Sequence, residues 1–193
     1  MLANLSQFKI ILASQSPRRQ QLLKEIIPTF DIQVRSVEEV YPETLKREEI
    51  CMFLSVLKSS VFNDLKKDEM LITSDTIVCL GDEVLGKPKD KKDAFEMLKK
   101  LSNETHTVYT GVTVKTRGKI ETFYDATHVT FYELSDEELI HYINSCQPFD
   151  KAGAYGIQEW MGYVGIKKMD GEFYNVMGLP IHKLYRLLKS WSV

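Results

Sequence analysis

An aspartate at position 75 sits at the centre of Leu71–Leu80, LITSDTIVCL, a run that otherwise reads as a strand with partly or wholly buried neighbours. Burying a carboxylate is expensive unless it is paired or holds a metal. A position that carries this cost is a candidate general base or metal ligand. The alternative is a strand-end aspartate that caps nearby backbone. A divalent cation beside Asp75 would offset its desolvation and draw phosphates to the same place.

The second signal is Arg18-Arg19, which follows Ser16-Pro17 at the start of an apolar-faced segment. Serine then proline is the pattern of a helix cap and first helical position. A helix N-terminus carries partial positive charge and free N–H groups, so two cations there are locally unfavourable. They make sense if an anion docks against both the helix start and the guanidinium groups, which is a phosphate site. The alternative is a solvated or distantly paired couple.

Other candidates are softer. Gly86-Lys87-Pro88 sets a lysine between a flexible and a rigid residue, which presents one ammonium at a defined place or is an ordinary turn. Glu39, in an acidic loop, and Lys58, on a helix, carry no signal by themselves. The run Asp150–Gln158, DKAGAYGIQ, has small residues that permit close approach of backbone to a ligand, or make a tight packing corner. Gln158 donates and accepts at once and so matches a pyrimidine imide edge. His106, His128, His141 and His182 show no metal-ligand spacing and read as structural or surface residues. Neither a P-loop, a Rossmann glycine fingerprint nor a nucleophile elbow is present.

The elements that must position these groups alternate early. A strand at Phe8–Ala13 leads into the Ser16 helix, and a second strand is expected at Phe30–Val34. Helical periodicity runs from Glu43 to about Lys66. The Asp75 strand turns at Gly81-Asp82 into a short returning strand, Glu83–Leu85, and a charged helix follows from about Lys91 to Leu101. Thr105–Lys115 is a strand, Lys119–Tyr132 holds one or two more, and Ser135–Glu138 is a capping box that starts a helix to about Ser145. Met161–Met169 and Glu172–Val176 read as a hairpin around Asp170-Gly171, and Leu179-Pro180 opens a closing helix. The pattern predicts an α/β (mixed α+β) fold, a twisted mixed sheet with flanking helices, in one domain over residues 1–193.

Composition narrows the class. The chain has 193 residues, 44% hydrophobic and 27% charged, with a formal net charge of −2. That charge disfavours a nucleic-acid binder, and the aromatic residues are dispersed rather than grouped as a stacking platform. Cys51, Cys79 and Cys146 are odd in number and far apart, which points to reduced, mostly buried thiols in a cytoplasmic protein. No stretch approaches the ~20 apolar residues of a membrane span.

Taken together, several blocks resemble the Maf family of nucleoside triphosphate pyrophosphatases. They stand here as LASQSPRRQQLL (12–23), SVEEVYP (36–42), SDTIV (74–78) with LGKP (85–88), LSNETHTVYTGV (101–112), FDKAGAYGIQ (149–158) and FYNVMGLP (173–180). The resemblance implies a fold related to the inosine-triphosphate pyrophosphatases, with two lobes around a cleft. It implies metal-assisted hydrolysis of a nucleoside triphosphate to the monophosphate and pyrophosphate, with Mg²⁺ or Mn²⁺ as cofactor, by a cytoplasmic homodimer. Asp75 matches the family's proton acceptor, and Ser14, Arg18, Arg19, Lys58 and Lys87 match positions that hold the triphosphate. Glu39 matches an acidic residue near the metal, beside Asp75. Arg18, Thr76 and Gln158 match positions tied to base selectivity. The YGIQ run is similar to the branch that acts on dTTP and UTP. The alternatives are a sister branch acting on 7-methyl-GTP-type nucleotides and a nucleotide-binding regulator of septum formation. Two positions depart from the family pattern: Glu159-Trp160 stands where a glycine usually follows the glutamine, and Ser74 stands where alanine is commoner.

Overall fold

β3 (Glu69–Leu80) is the longest apolar run in the sheet and organises the rest. The computed structural model describes residues 2–192. Before β3 come β1 (Lys9–Leu12), α1 (Pro17–Lys24), β2 (Asp31–Ile32) and α2 (Glu48–Ser60). After it come β4 (Glu83–Leu85), α3 (Lys91–Leu101), β5 (Thr105–Lys115), β6 (Ile120–Phe131) and α4 (Asp136–Cys146). The chain closes with α5 (Trp160–Val164), β7 (Ile166–Asp170), α6 (Phe173–Val176, a single turn) and α7 (Ile181–Lys189).

The seven strands form one mixed sheet in the order β2-β1-β3-β5-β6-β7, with β4 paired to β3. β1 is parallel to β2 and β3, and the remaining pairings are antiparallel. The expected mixed α/β architecture is therefore present.

β3 shares one edge between two partners. β1 pairs with Glu69–Ile72, and β4 pairs with Val78–Leu80. Among the described residues, no strand pairs with Thr73–Ile77 on that edge, while β5 covers the other edge from Leu71 to Cys79. This gap, just past the carboxyl end of β1, is where a parallel sheet opens a crevice. The two largest hydrophobic clusters lie on either side of it. One gathers Leu12, Leu23, Ile72, Leu184 and Leu188; the other gathers Val78, Leu98, Val108, Leu139 and Tyr142.

Side chains alternate along β3 with period two. Thr73, Asp75 and Ile77 face α2: Thr73 Oγ1 donates to the Ser55 carbonyl at 2.7 Å, and Ile77 packs with Ile50 and Leu54. Ser74 and Thr76 face α1 and the segment around Gly178. α2 sits close to the sheet because β5 carries Gly111 opposite Asp75; a Cβ there would lie 2.4 Å from the Cys51 carbonyl oxygen.

Several elements differ from the sequence expectation. The second strand shrinks to Asp31–Ile32, both exposed at the sheet edge. The long helix starts only at Glu48, because Arg47 has a φ of 49° outside the helical region, and it ends at Ser60. Residues 120–131 form one strand, not two. The expected hairpin at 161–176 is absent. Trp160–Val164 is helical, β7 pairs with β6, and Glu172 caps a helical turn by accepting from the Asn175 N–H at 2.6 Å. Gly162 has its α-carbon against the Ile157 carbonyl, an approach no side chain allows, so the chain winds there rather than extends. The Gly81-Asp82 turn and the Ser135/Glu138 capping box form as expected.

Candidate active site

The loop after β1 and the first turn of α1 build one wall of the crevice. Ser16 caps the helix by accepting from the Arg19 N–H at 3.5 Å, with Pro17 at the first helical position. Ser14 is buried, and its hydroxyl accepts from the Ser16 N–H at 3.2 Å. Arg18 then projects across the crevice and its Nη1 donates to Asp150 Oδ2 at 2.9 Å.

Arg19 does something that the sequence does not suggest. Its Nε donates to the Gly178 carbonyl at 2.8 Å, its Nη1 to the Ser74 carbonyl at 2.8 Å and its Nη2 to Thr76 Oγ1 at 3.0 Å. The guanidinium thus closes the unpaired edge of β3 in place of a strand. Burial pulls its pKa below the ordinary arginine value, against the opposing charge of Asp75. Two of its five N–H groups remain for a ligand. The Thr76 hydroxyl lies 3.0 Å from Thr110 Oγ1, and Thr110 donates to the Asn175 carbonyl at 2.9 Å, so a polar chain runs from Arg19 to α6.

On the other face, Asp75 is 6% exposed and its Oδ1 lies 2.6 Å from Lys58 Nζ. The same ammonium lies 3.1 Å from Glu39 Oε1. Two carboxylates from a strand and a loop therefore converge on one cation, an all-oxygen pair of the kind that suits a hard divalent ion. Lys87 is exposed at the crevice mouth and has no ion-pair partner among the described residues. Gln158 lies at the far end, and its buried Oε1 has no hydrogen-bond partner among the described residues.

All the residues singled out in the sequence come together here. Arg18, Arg19, Glu39, Lys58, Asp75, Thr76, Lys87 and Gln158 line one cavity of about 330 Å³. Ser14 lines an adjoining one that shares Arg18, Arg19, Glu39, Lys58 and Lys87. That volume falls within the ~300–1,000 Å³ typical of small-molecule sites. Five basic side chains and three carboxylates line the cavity, counting Lys151 and Asp150, and that excess of cations suits a polyanion that arrives with, or meets, a metal ion.

Residues 9–191 match the family model described as "Maf-like protein". The chain belongs to the Maf family. Among curated Maf relatives, the dTTP/UTP pyrophosphatase of Flavobacterium johnsoniae is 51% identical over 187 residues, covering 96% of each chain. That of Flavobacterium psychrophilum is 52% identical over 181 residues, covering 93% of each. A solved HAM1 protein from Coxiella burnetii covers 95% of this chain and is itself covered in full, at a TM-score of 0.49 and 10% identity, and adds nothing to the assignment.

Sequence reasoning missed the supports of this candidate site. Asp150 and Lys151 lie in one of the family blocks without a role, yet Asp150 holds Arg18. Burial works to raise the Asp150 carboxyl, but hydrogen bonds from Lys151 and Arg18 outweigh it and hold its pKa below the ordinary value. Asn175 binds the Val108 carbonyl at 3.0 Å and Thr127 Oγ1 at 2.9 Å, anchoring α6 beneath Thr110. No local spacing signals these partners, since they lie 48 to 132 residues apart along the chain.

His182, read as structural or surface, faces Asp125 at 3.6 Å and Glu172 at 3.8 Å. These three are the acidic and histidine group close enough to share an ion among the described residues. They line neither of the two crevice cavities. Lys183 neutralises part of the group by pairing with Asp125 at 2.7 Å. The two buried thiols are poor nucleophiles: burial, first of all, raises Cys51 strongly and Cys79 to about 11.

Proposed function

We propose that this chain hydrolyses dTTP and UTP to the nucleoside monophosphate and pyrophosphate, with Asp75 as general base. The observation that carries the reading is the convergence of a buried strand carboxylate and a set of basic side chains on one crevice. The names of the curated relatives supply the substrate class.

In this reading Arg18, Lys58 and Lys87 bind the triphosphate, together with the Ser14 hydroxyl and the two N–H groups that Arg19 has left. The Lys58 ammonium, held 2.6 Å from Asp75 and 3.1 Å from Glu39, shifts from carboxylate to phosphate as substrate enters. Asp75 is then free to take a proton from a water in line with the α-phosphorus, and the pyrophosphate leaves with its charge spread over the cations. Glu39 and Asp75 would hold Mg²⁺ or Mn²⁺, which when bound supplies charge neutralisation on the phosphate oxygens. Gln158 accepts the N3–H of a uracil or thymine ring at its unpartnered Oε1 and donates to O4 from its amide nitrogen. Thr76 and Arg18 flank the path between the base and the phosphates.

The protein in this reading is a cytoplasmic homodimer acting on free nucleotides; family likeness supports that part. Among the described residues, no helix is long and apolar enough to cross a membrane. The test is a coupled pyrophosphate-release assay on dTTP, UTP and 7-methyl-GTP with Mg²⁺ or Mn²⁺. Release from the two pyrimidine nucleotides well above the methylated purine is expected. Negligible release from all three despite tight nucleotide binding would replace the enzyme with a binding regulator.

A further inference from the structure

Lys151 is the most deeply buried lysine in the crevice wall, at 8% exposure. Its Nζ lies 2.6 Å from Asp150 Oδ1 and 3.0 Å from Glu159 Oε1. Each carboxylate has a second task. Asp150 Oδ2 accepts from Arg18 Nη1 at 2.9 Å, and Glu159 Oε2 accepts from the Tyr142 hydroxyl at 2.5 Å. The Tyr142 oxygen in turn accepts from the Gly156 N–H at 2.9 Å. Tyr142 is fully buried on α4, so this chain of contacts is anchored in the core.

Gln158 meets this arrangement at Gly156. A Cβ on Gly156 would lie 2.8 Å from Glu159 Cδ and 3.0 Å from Gln158 Nε2, so the carboxylate and the amide both pack onto the same bare backbone. The amide nitrogen is thereby directed while Oε1 stays buried and unpartnered. A desolvated acceptor costs free energy that only a ligand donor can recover. Such a group discriminates well between a ring that offers N–H and one that does not, provided it cannot turn away.

We propose that Lys151 and Glu159 are a positioning pair that locks Gln158 for base reading and, through Asp150, ties that end of the cavity to Arg18 at the phosphate end. The inference rests on the proposed uridine and thymidine nucleotide reading of the same site. Neither residue touches the reacting atoms. Removing Lys151 leaves Glu159 with the Tyr142 hydroxyl and no cation, and removing Glu159 leaves Lys151 with Asp150 alone.

The experiment uses the full chain and the variants E159Q, K151M and K151M/E159Q. For each, pyrophosphate release from UTP and CTP is followed, and inorganic tripolyphosphate serves as a phosphate-only inhibitor. E159Q is expected to raise the KM for UTP about tenfold, the scale of one lost charge-assisted contact, with kcat changed far less. The ratio of kcat/KM for UTP over CTP should fall with it, while the inhibition constant of tripolyphosphate stays within about twofold. The double variant removes both charges and keeps a glutamine able to accept from Tyr142, so it should regain most of the UTP affinity lost in E159Q. A merely structural role would lower the folded fraction and weaken UTP and tripolyphosphate alike. That result, or an unchanged UTP/CTP ratio in both E159Q and K151M, overturns the proposal. If E159Q does not fold, failure of the double variant to discriminate UTP from CTP differently from K151M does the same. Absence of UTP hydrolysis in the wild type would instead sink the parent reading, and UTP-against-tripolyphosphate binding by calorimetry would then still test the pair.

Discussion

Lys58 Nζ lies 2.6 Å from Asp75 Oδ1, and this ion pair joins the helix that covers the sheet to the strand that carries the carboxylate. Both residues are largely out of water, with 18% and 9% of their side-chain surface exposed, so neither charge is cheap to leave alone. Lys58→Met should therefore cost about 3 kcal/mol, the lower range for breaking one partner of a buried pair. Because Glu39 points at the same ammonium, added Mn²⁺ should raise the melting temperature of this variant more than that of the wild type. Equal shifts would argue against a shared Glu39–Asp75 metal site.

Arg19 acts as the missing strand along Thr73–Ile77. Arg19→Lys keeps the charge but loses the planar fork that meets Gly178, Ser74 and Thr76 together. It should lower stability by about 2–4 kcal/mol, taking two lost charge-assisted bonds at ~1.5–3 kcal/mol each and discounting for non-additivity. Chemical denaturation reads this directly. Stability within ~0.5 kcal/mol of wild type would show that the clamp is dispensable.

How α2 reaches Asp75 depends on Gly111. A methyl group there would meet the Cys51 carbonyl at 2.4 Å, and a backbone neighbour cannot swing aside. Gly111→Ala should push α2 off the sheet, at a cost of roughly 1–3 kcal/mol or more, and carry Lys58 away from Asp75. Loss of activity larger than the loss of folded protein is the expected signature.

His106 gives a pH dependence with a definite sign. It is 1% exposed, its Nε2 meets the Tyr155 hydroxyl at 2.8 Å, and burial lowers its pKa from 6.5 to about 4. The unfolded chain then binds a proton that the folded chain refuses between those values, so stability falls as pH drops from about 6.5 to 4. The full effect is on the order of 3 kcal/mol, from ~1.4 kcal/mol per pKa unit. His106→Gln should remove this slope relative to wild type in urea titrations at pH 7 and pH 4.5.

Much of this architecture was legible because its signals are local. Asp75 stands out in an apolar run, Ser16-Pro17 marks the helix start, and Ser135/Glu138 form the box they spell. The failures have equally physical causes. Asp170-Gly171 does turn the chain, but the Glu172 cap winds the next four residues into α6, where alternation alone reads as a returning strand. Arg18 and Arg19 look equivalent in sequence, yet one meets a loop carboxylate and the other two backbone carbonyls and a threonine, which only the gap between β1 and β4 explains. The Lys151–Glu159–Tyr142 contacts join α4 to a loop and leave no trace in local spacing.

Asp75→Asn, assayed for UTP binding and pyrophosphate release side by side, tests the central claim most directly. The substitution keeps the shape of the buried side chain and removes its basicity. UTP should still bind, and hydrolysis should fall by ~10²–10⁴, the range expected for loss of a general base. Turnover at the wild-type rate in that variant would contradict the account.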